Sequence, residues 1–160
     1  MGVEKISSPH SPHVVRVRAL LGPRGKKERT ASKEFVFEGR SALLAALNPQ
    51  ISLAPKLENI YLTEAGADLL TDISIPDKEI RVFMVTDAMM KQMADTETPQ
   101  GILGTCSFRK NTLHRLLHQD KKAPQKLVYF WEMQDPGNCG TVIRSADAAG
   151  FDGVIFSTNS

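Results

Sequence analysis

The chain has 160 residues, 41% apolar and 24% charged, which suits one ordinary domain or two small ones and excludes wholesale disorder. Its net charge of +2 is too small to name a partner, and the lack of any run of eighteen apolar residues excludes a membrane-spanning helix. Residues 1–13 lack the apolar core of a signal peptide, and two cysteines, Cys106 and Cys139, are too few for a structural zinc site, so the expectation is a cytoplasmic protein with free thiols.

Residues 1–12 are rich in Ser, Pro and His and are expected to be disordered. Val14 to Leu21 has helical apolar spacing and meets a stop at Gly22-Pro23. Arg24-Gly25-Lys26-Lys27-Glu28-Arg29 follows as an exposed basic stretch. Phe35-Val36-Phe37 is strand-like, Gly39 is the turn, and Arg40 to Leu47 is a helix broken at Asn48-Pro49. Ile60 to Leu62 then forms a strand, Ala65 to Leu70 a helix, and Ile80 to Val85 a strand. Thr86-Asp87 caps a helix running to about Ala94, on which Met89, Met90 and Met93 face the core. Thr98-Pro99-Gln100-Gly101 is a turn into a strand from Ile102 to Phe108. This alternation predicts a small α/β/α sandwich for residues 13–108. Residues 109–126 contain a short helix or plain linker at Asn111 to Gln119, then the basic, Pro-containing Lys121 to Lys126, so the domain boundary falls there.

Charge alternates along the chain. Residues 1–35 carry eight Lys or Arg against three acids, residues 36–107 five against ten, residues 108–126 six against one, and residues 127–160 one against four. Two basic segments bracket an acidic one, as suits a surface offered to a polyanion or a pair of solvated basic loops.

Residues 127–160 read as strand, turn, helix and strand: Leu127 to Trp131, the turn Gln134 to Gly137, a helix ending at Gly150, and Val154 to Phe156. Gly150 stands where a helix end needs a left-handed residue. Inside lies the spacing Asn138-x-Gly140-x-x-x-Arg144. Asn138, at or just before the helix start, either donates to a ligand or caps the backbone. Gly137 and Gly140 let main chain approach a ligand, and amides at a helix start favour anions. Arg144 lies about 9 Å further along the axis at roughly 1.5 Å per residue, and a long helical side chain leans back toward that start. Its competing role is a surface ion pair with Asp147 or Asp135. Glu132 either touches the same zone or is an exposed strand-end acid, and Cys139 has no histidine near it in sequence. His114 and His118 have the spacing of a zinc pair but no third ligand nearby, so no metal is expected.

Three stretches together resemble the SpoU/TrmH family of RNA ribose 2′-O-methyltransferases, of the SPOUT superfamily. Phe35-Val36-Phe37-Glu38-Gly39-Arg40 is similar to the Phe-x-x-Glu-Gly motif of that family's substrate-binding domain. Thr98-Pro99-Gln100-Gly101-Ile102 is similar to the turn closing that domain, and Asp135 to Gly150 resembles the first signature motif of its catalytic domain. The resemblance implies an α/β protein in two parts: a small sandwich that holds RNA, then the βαβ opening, residues 127–160, of a knotted SPOUT domain whose later motifs, which carry most of the methyl-donor pocket, lie outside these residues. It further implies S-adenosylmethionine as cofactor, ribosomal or transfer RNA as substrate, a homodimer, and Asn138 and Arg144 in the catalytic centre. Lys26, Lys27, Arg29 and Arg40 are the candidate RNA contacts in the first part. The other class that fits is a non-catalytic RNA-binding module lacking the methyl-donor pocket.

Overall fold

The computed structural model describes residues 2–22, 24–48, 55–73, 75, 79–108, 113, 117 and 126–158. They fall into two units, Met1–Lys110 and Asn111–Ser160.

The first unit is built on a five-stranded sheet. Its elements in chain order are β1 (Val3–Lys5), α1 (Pro12–Leu21), α2 (Gly25–Ser32), β2 (Glu34–Glu38), α3 (Arg40–Leu47), β3 (Lys56–Leu62), α4 (Glu64–Asp68), β4 (Arg81–Met84), α5 (Asp87–Met93) and β5 (Ile102–Ser107). The spatial order is β1-β4-β3-β5-β2. β1, β4 and β3 run parallel, while β5 is antiparallel to both β3 and β2.

Period-two alternation along the strands divides the apolar side chains between the two faces. Tyr61, Phe83 and Leu103 join Val14 and Val17 of α1 and Met89, Met90 and Met93 of α5 in one buried cluster. Ile60, Leu62, Val82, Ile102 and Cys106 join Leu43 of α3 in the other, with Phe35, Phe37 and Ala67 packed against it. Helices therefore cover both faces, which is the expected three-layer sandwich. The three methionines sit in the core, as their spacing implies, while Phe35 and Phe37 are half-buried against it. Burial pushes the Cys106 thiol up to about 12, helped by Glu58, which leaves it an unreactive filler of the core.

The N-terminus departs from the sequence reading. Val3–Lys5, expected within a disordered stretch, forms a parallel edge strand on β4, followed by Ile6, buried and bonded through its N–H to the Met84 carbonyl at 2.9 Å. A three-residue edge strand is held by main-chain pairing and so leaves almost no side-chain pattern to read. Ser11 then caps α1 by accepting from the Val14 N–H at 3.3 Å. The basic stretch after Leu21 is likewise a helix, α2, since Lys, Arg, Glu and Ala are good helix formers on an exposed face. Residues 109–112, 114–116 and 118–125, with His114 and His118 among them, lie outside the described residues.

The second unit consists of β6 (Leu127–Phe130), α6 (Pro136–Ala148) and β7 (Gly153–Phe156). β6 and β7 pair in parallel, from Leu127 opposite Gly153 to Phe130 opposite Phe156. Gly150, at φ +69°, closes α6 as a Schellman turn: Phe151 N–H bonds the Ala146 carbonyl at 2.9 Å and Gly150 N–H the Asp147 carbonyl at 3.0 Å. Glu132, just after β6, is left-handed too, at φ +50°, and its N–H donates to Ser157 Oγ at 2.8 Å. Among the described residues of this unit only Ala146 is buried, while Tyr129, Trp131, Ile143 and Phe151 are exposed.

Turn glycines form the tightest joint of the first unit. Gly39 and Gly101 have φ of +91° and +75°, and a Cβ on Gly66 would collide with the Gly101 carbonyl. Gly66→Ala is therefore expected to destabilise the protein by about 3 kcal/mol; an unchanged urea midpoint would show that the joint yields. A second expectation concerns His13, whose Nδ1 lies 3.2 Å from Tyr61 Oη and whose ring centroid is 4.2 Å from that of Phe83. Burial first, then the charge of Arg81, hold its imidazole below 6.5, against an opposing pull from Glu4. The unfolded chain thus takes up the proton more readily, so this contribution is complete above pH 6.5 and is lost as pH falls through the lowered folded value. Urea midpoints between about pH 7 and pH 5 should fall less steeply for His13→Gln than for the parent.

Candidate active site

The turn after β6 opens α6 by local means. Asp135, in extended backbone, is the N-cap: its Oδ1 accepts from Asn138 N–H at 2.7 Å. Pro136 follows in the first turn, where its missing N–H costs nothing. The sequence reading put Asn138 at or just before the helix start as a possible cap; the structure makes it the third residue of the helix, with its N–H held by the carboxylate of Asp135 three residues upstream. Its side-chain amide is consequently exposed and has no hydrogen-bond partner among the described residues.

Arg144 does lean toward the helix start. Nη2 donates to Thr141 Oγ1 at 3.1 Å, and a Cβ on Gly140 would lie 3.3 Å from Nη1. Neither Asp147 nor Asp135 forms an ion pair with it among the described residues, so most of its donors face solvent. The start of α6 thus gathers exposed main chain at Gly137, a free carboxamide and the only cation of residues 127–160. Such a group can bind phosphate or a sugar oxygen and stabilise negative charge developing on it. Thr141, which sequence reading did not single out, contacts Arg144; the three-residue spacing on one helix was the available signal. Cys139 is half-buried, with Sγ 3.7 Å from the Met133 carbonyl oxygen.

The first unit places its four cations differently. Lys26 and Lys27 are exposed on α2, lining a shallow hollow with Arg24 and Thr30, and neither ammonium forms an ion pair among the described residues. Arg29 turns inward and donates through Nη1 to the Leu20 carbonyl, tying α2 to the end of α1. Arg40 is bound within the unit as well, with Nη2 2.7 Å from Asp72 Oδ2 and Nε 3.1 Å from the Leu69 carbonyl.

Two motifs that stand sixty residues apart meet at this point. Gly39 N–H bonds the Ile102 carbonyl at 2.9 Å, Arg40 N–H the Gln100 Oε1 at 3.3 Å, and Thr63 N–H the Gly101 carbonyl at 3.0 Å. Glu38 also accepts from the Thr96 hydroxyl. The Phe-x-x-Glu-Gly stretch and the Pro-Gln-Gly-Ile turn are therefore two sides of one joint at the end of the sheet. Among the described residues no cluster of three His, Cys, Asp or Glu could hold a metal ion.

An α/β/α sandwich with this joint is thus followed in the chain by a βαβ unit carrying the Asn138/Arg144 helix start. Residues 12–104 match the MRM3-like substrate binding domain, and the chain belongs to that family. It is 31% identical over 130 residues to the 23S rRNA (guanosine(2553)-2′-O)-methyltransferase RlmP of Bacillus subtilis, covering 81% of this chain and 46% of that protein. It is 29% identical over 136 residues to the human mitochondrial rRNA methyltransferase 3, covering 81% of this chain and 30% of that one. The crystal structure of an AdoMet-bound rRNA methyltransferase from Sinorhizobium meliloti superposes with a TM-score of 0.74 at 26% identity, over 96% of this chain and 54% of that one. The chain thus spans about half the length of these relatives, or less.

The site makes a stability expectation that separates its parts. Asp135→Ala should cost about 1 kcal/mol through the lost cap. Arg144→Ala, which removes one exposed side-chain bond, should stay within about 0.5 kcal/mol of the parent. Thermal unfolding of the two variants side by side reads the difference, and equal losses would mean that Arg144 is a structural residue.

Proposed function

We propose that this chain is the RNA-holding part and the opening of the catalytic part of an S-adenosylmethionine-dependent RNA ribose 2′-O-methyltransferase acting on ribosomal or transfer RNA. The observation that carries this reading is the start of α6: the side chains of Asn138 and Arg144 are both exposed and bond no carboxylate among the described residues, on a helix whose own end is already capped by Asp135. The family match over residues 12–104 and the relatives' methyltransferase names support it.

The reaction needs a weakly nucleophilic ribose hydroxyl held in line with a methyl group, and alkoxide character stabilised as the bond forms. S-adenosylmethionine, when bound, supplies that methyl group on a sulfonium centre. The described residues of the second unit fit the RNA side of the exchange. Arginine keeps its proton, so Arg144 is an oxyanion-stabilising and phosphate-binding group rather than a base. Asn138 offers a neutral donor beside it. In the first unit Lys26 and Lys27 are free to meet phosphates, whereas Arg29 and Arg40 first hold their own domain together and have only their remaining donors for RNA. A cytoplasmic homodimer belongs to the same reading; the exposed Tyr129, Trp131, Ile143 and Phe151 are apolar surface that a second copy would cover.

The test is methyl transfer from labelled S-adenosylmethionine to RNA by the full-length polypeptide, with the product scored by resistance of the adjoining phosphodiester to alkali. Arg144→Lys should lower kcat about 100-fold by losing the planar fork. Reversing charge at both Lys26 and Lys27 should weaken RNA binding and reduce the salt slope by roughly one for each phosphate no longer neutralised. RNA binding without any methyl transfer would instead make the protein a binding module.

A further inference from the structure

We infer that Thr141 is a positioning residue for Arg144: its hydroxyl holds the guanidinium over the start of α6, where the ligand would lie. The inference rests on the reading of Arg144 as the ligand-facing cation. Thr141 Oγ1 donates to the Gly137 carbonyl at 3.0 Å, which uses its single proton and leaves its lone pairs for a donor. Arg144 Nη2 supplies that donor at 3.1 Å. A three-part link therefore runs from the main chain at Gly137, through the hydroxyl, to the guanidinium. Gly137 directly precedes Asn138, so the link sets both ligand-facing groups in one frame.

Gly140 makes room for this arrangement. A Cβ there would stand 3.3 Å from Arg144 Nη1, close enough that the guanidinium would have to shift. An exposed arginine otherwise spreads over many rotamers, and an anchored hydroxyl on the preceding turn removes most of those that point away. The residue type agrees with such a role. A β-branched side chain in the body of an exposed helix is a poorer helix former than alanine, and Thr141 is exposed, so packing does not explain it. What the position offers instead is a hydroxyl within reach of the guanidinium.

The test titrates the 15N-labelled 160-residue chain with adenosine 5′-monophosphate, following the Arg144 Nε–H and Gly140 amide signals, alongside the thermal midpoint of each variant. Expected are binding by the parent that moves the Arg144 signal, parent-like affinity for Thr141→Ser, and about three- to tenfold weaker affinity for Thr141→Val with an unchanged thermal midpoint. Gly140→Ala, which favours the helix yet crowds the guanidinium, should weaken binding in the same way without loss of stability. Parent-like affinity in Thr141→Val, with Arg144 still responding, overturns the positioning role and leaves the reading of Arg144 standing. A parent whose Arg144 signal does not respond overturns both.

Discussion

The close approach of Gly66 to Gly101 is the constraint on which the first unit depends. The Gly101 carbonyl accepts from Thr63 N–H at 3.0 Å while Thr63 Oγ1 accepts from Gly66 N–H at 3.1 Å, so the turn before β5 lies directly on the start of α4. Gly39, bonded to the Ile102 carbonyl, brings the start of α3 to the same place. Three strand ends are locked together largely by main-chain atoms, with no room for a Cβ between Gly66 and Gly101. The strand order around β5 follows, and with it the division of apolar residues into two cores, one under α1 and α5 and one under α3 and α4.

The second unit works by a different physics. Its order is local: an Asx cap at Asp135, a proline in the first turn, a hydroxyl bonded back to the main chain at Gly137, and a glycine-closed end at Gly150. Little of it comes from burial, since Ala146 is its one buried residue among those described. A helix start built this way presents the side chains of Asn138 and Arg144 to solvent without requiring a core beneath them. That independence leaves the Asn138 and Arg144 side chains without carboxylate partners among the described residues, because the elements that need partners already have them.

Much of this was legible in the residues. Glycine and proline mark turns because their allowed backbone angles are local properties, so Gly39, Gly101 and Gly150 were placed correctly. Period-two apolar runs located β2, β3, β4 and β5 to within a few residues. The strand at Val3–Lys5 was not legible, since it is specified by its pairing with β4 rather than by its own sequence. The capping of α6 was misplaced by three residues, because Asn and Asp both cap well and only geometry decides between them. Arg29 and Arg40 looked as free as Lys26 and Lys27; only tertiary interactions with Leu20, Leu69 and Asp72 separate the two pairs.

The sequence by itself determined the alternation of strands and helices, the turn positions, the methionine face of α5, and the Asn138-Gly140-Arg144 spacing that puts three groups near one helix start. These depend on interactions between residues a few positions apart, which a linear pattern encodes directly. Tertiary structure alone decided that the motifs around Gly39 and Gly101 are one joint, that β1 closes the sheet edge, and which basic side chains remain unpaired. Those facts depend on groups brought together from distant parts of the chain, where each partner's identity is uninformative until the fold has set the distance between them.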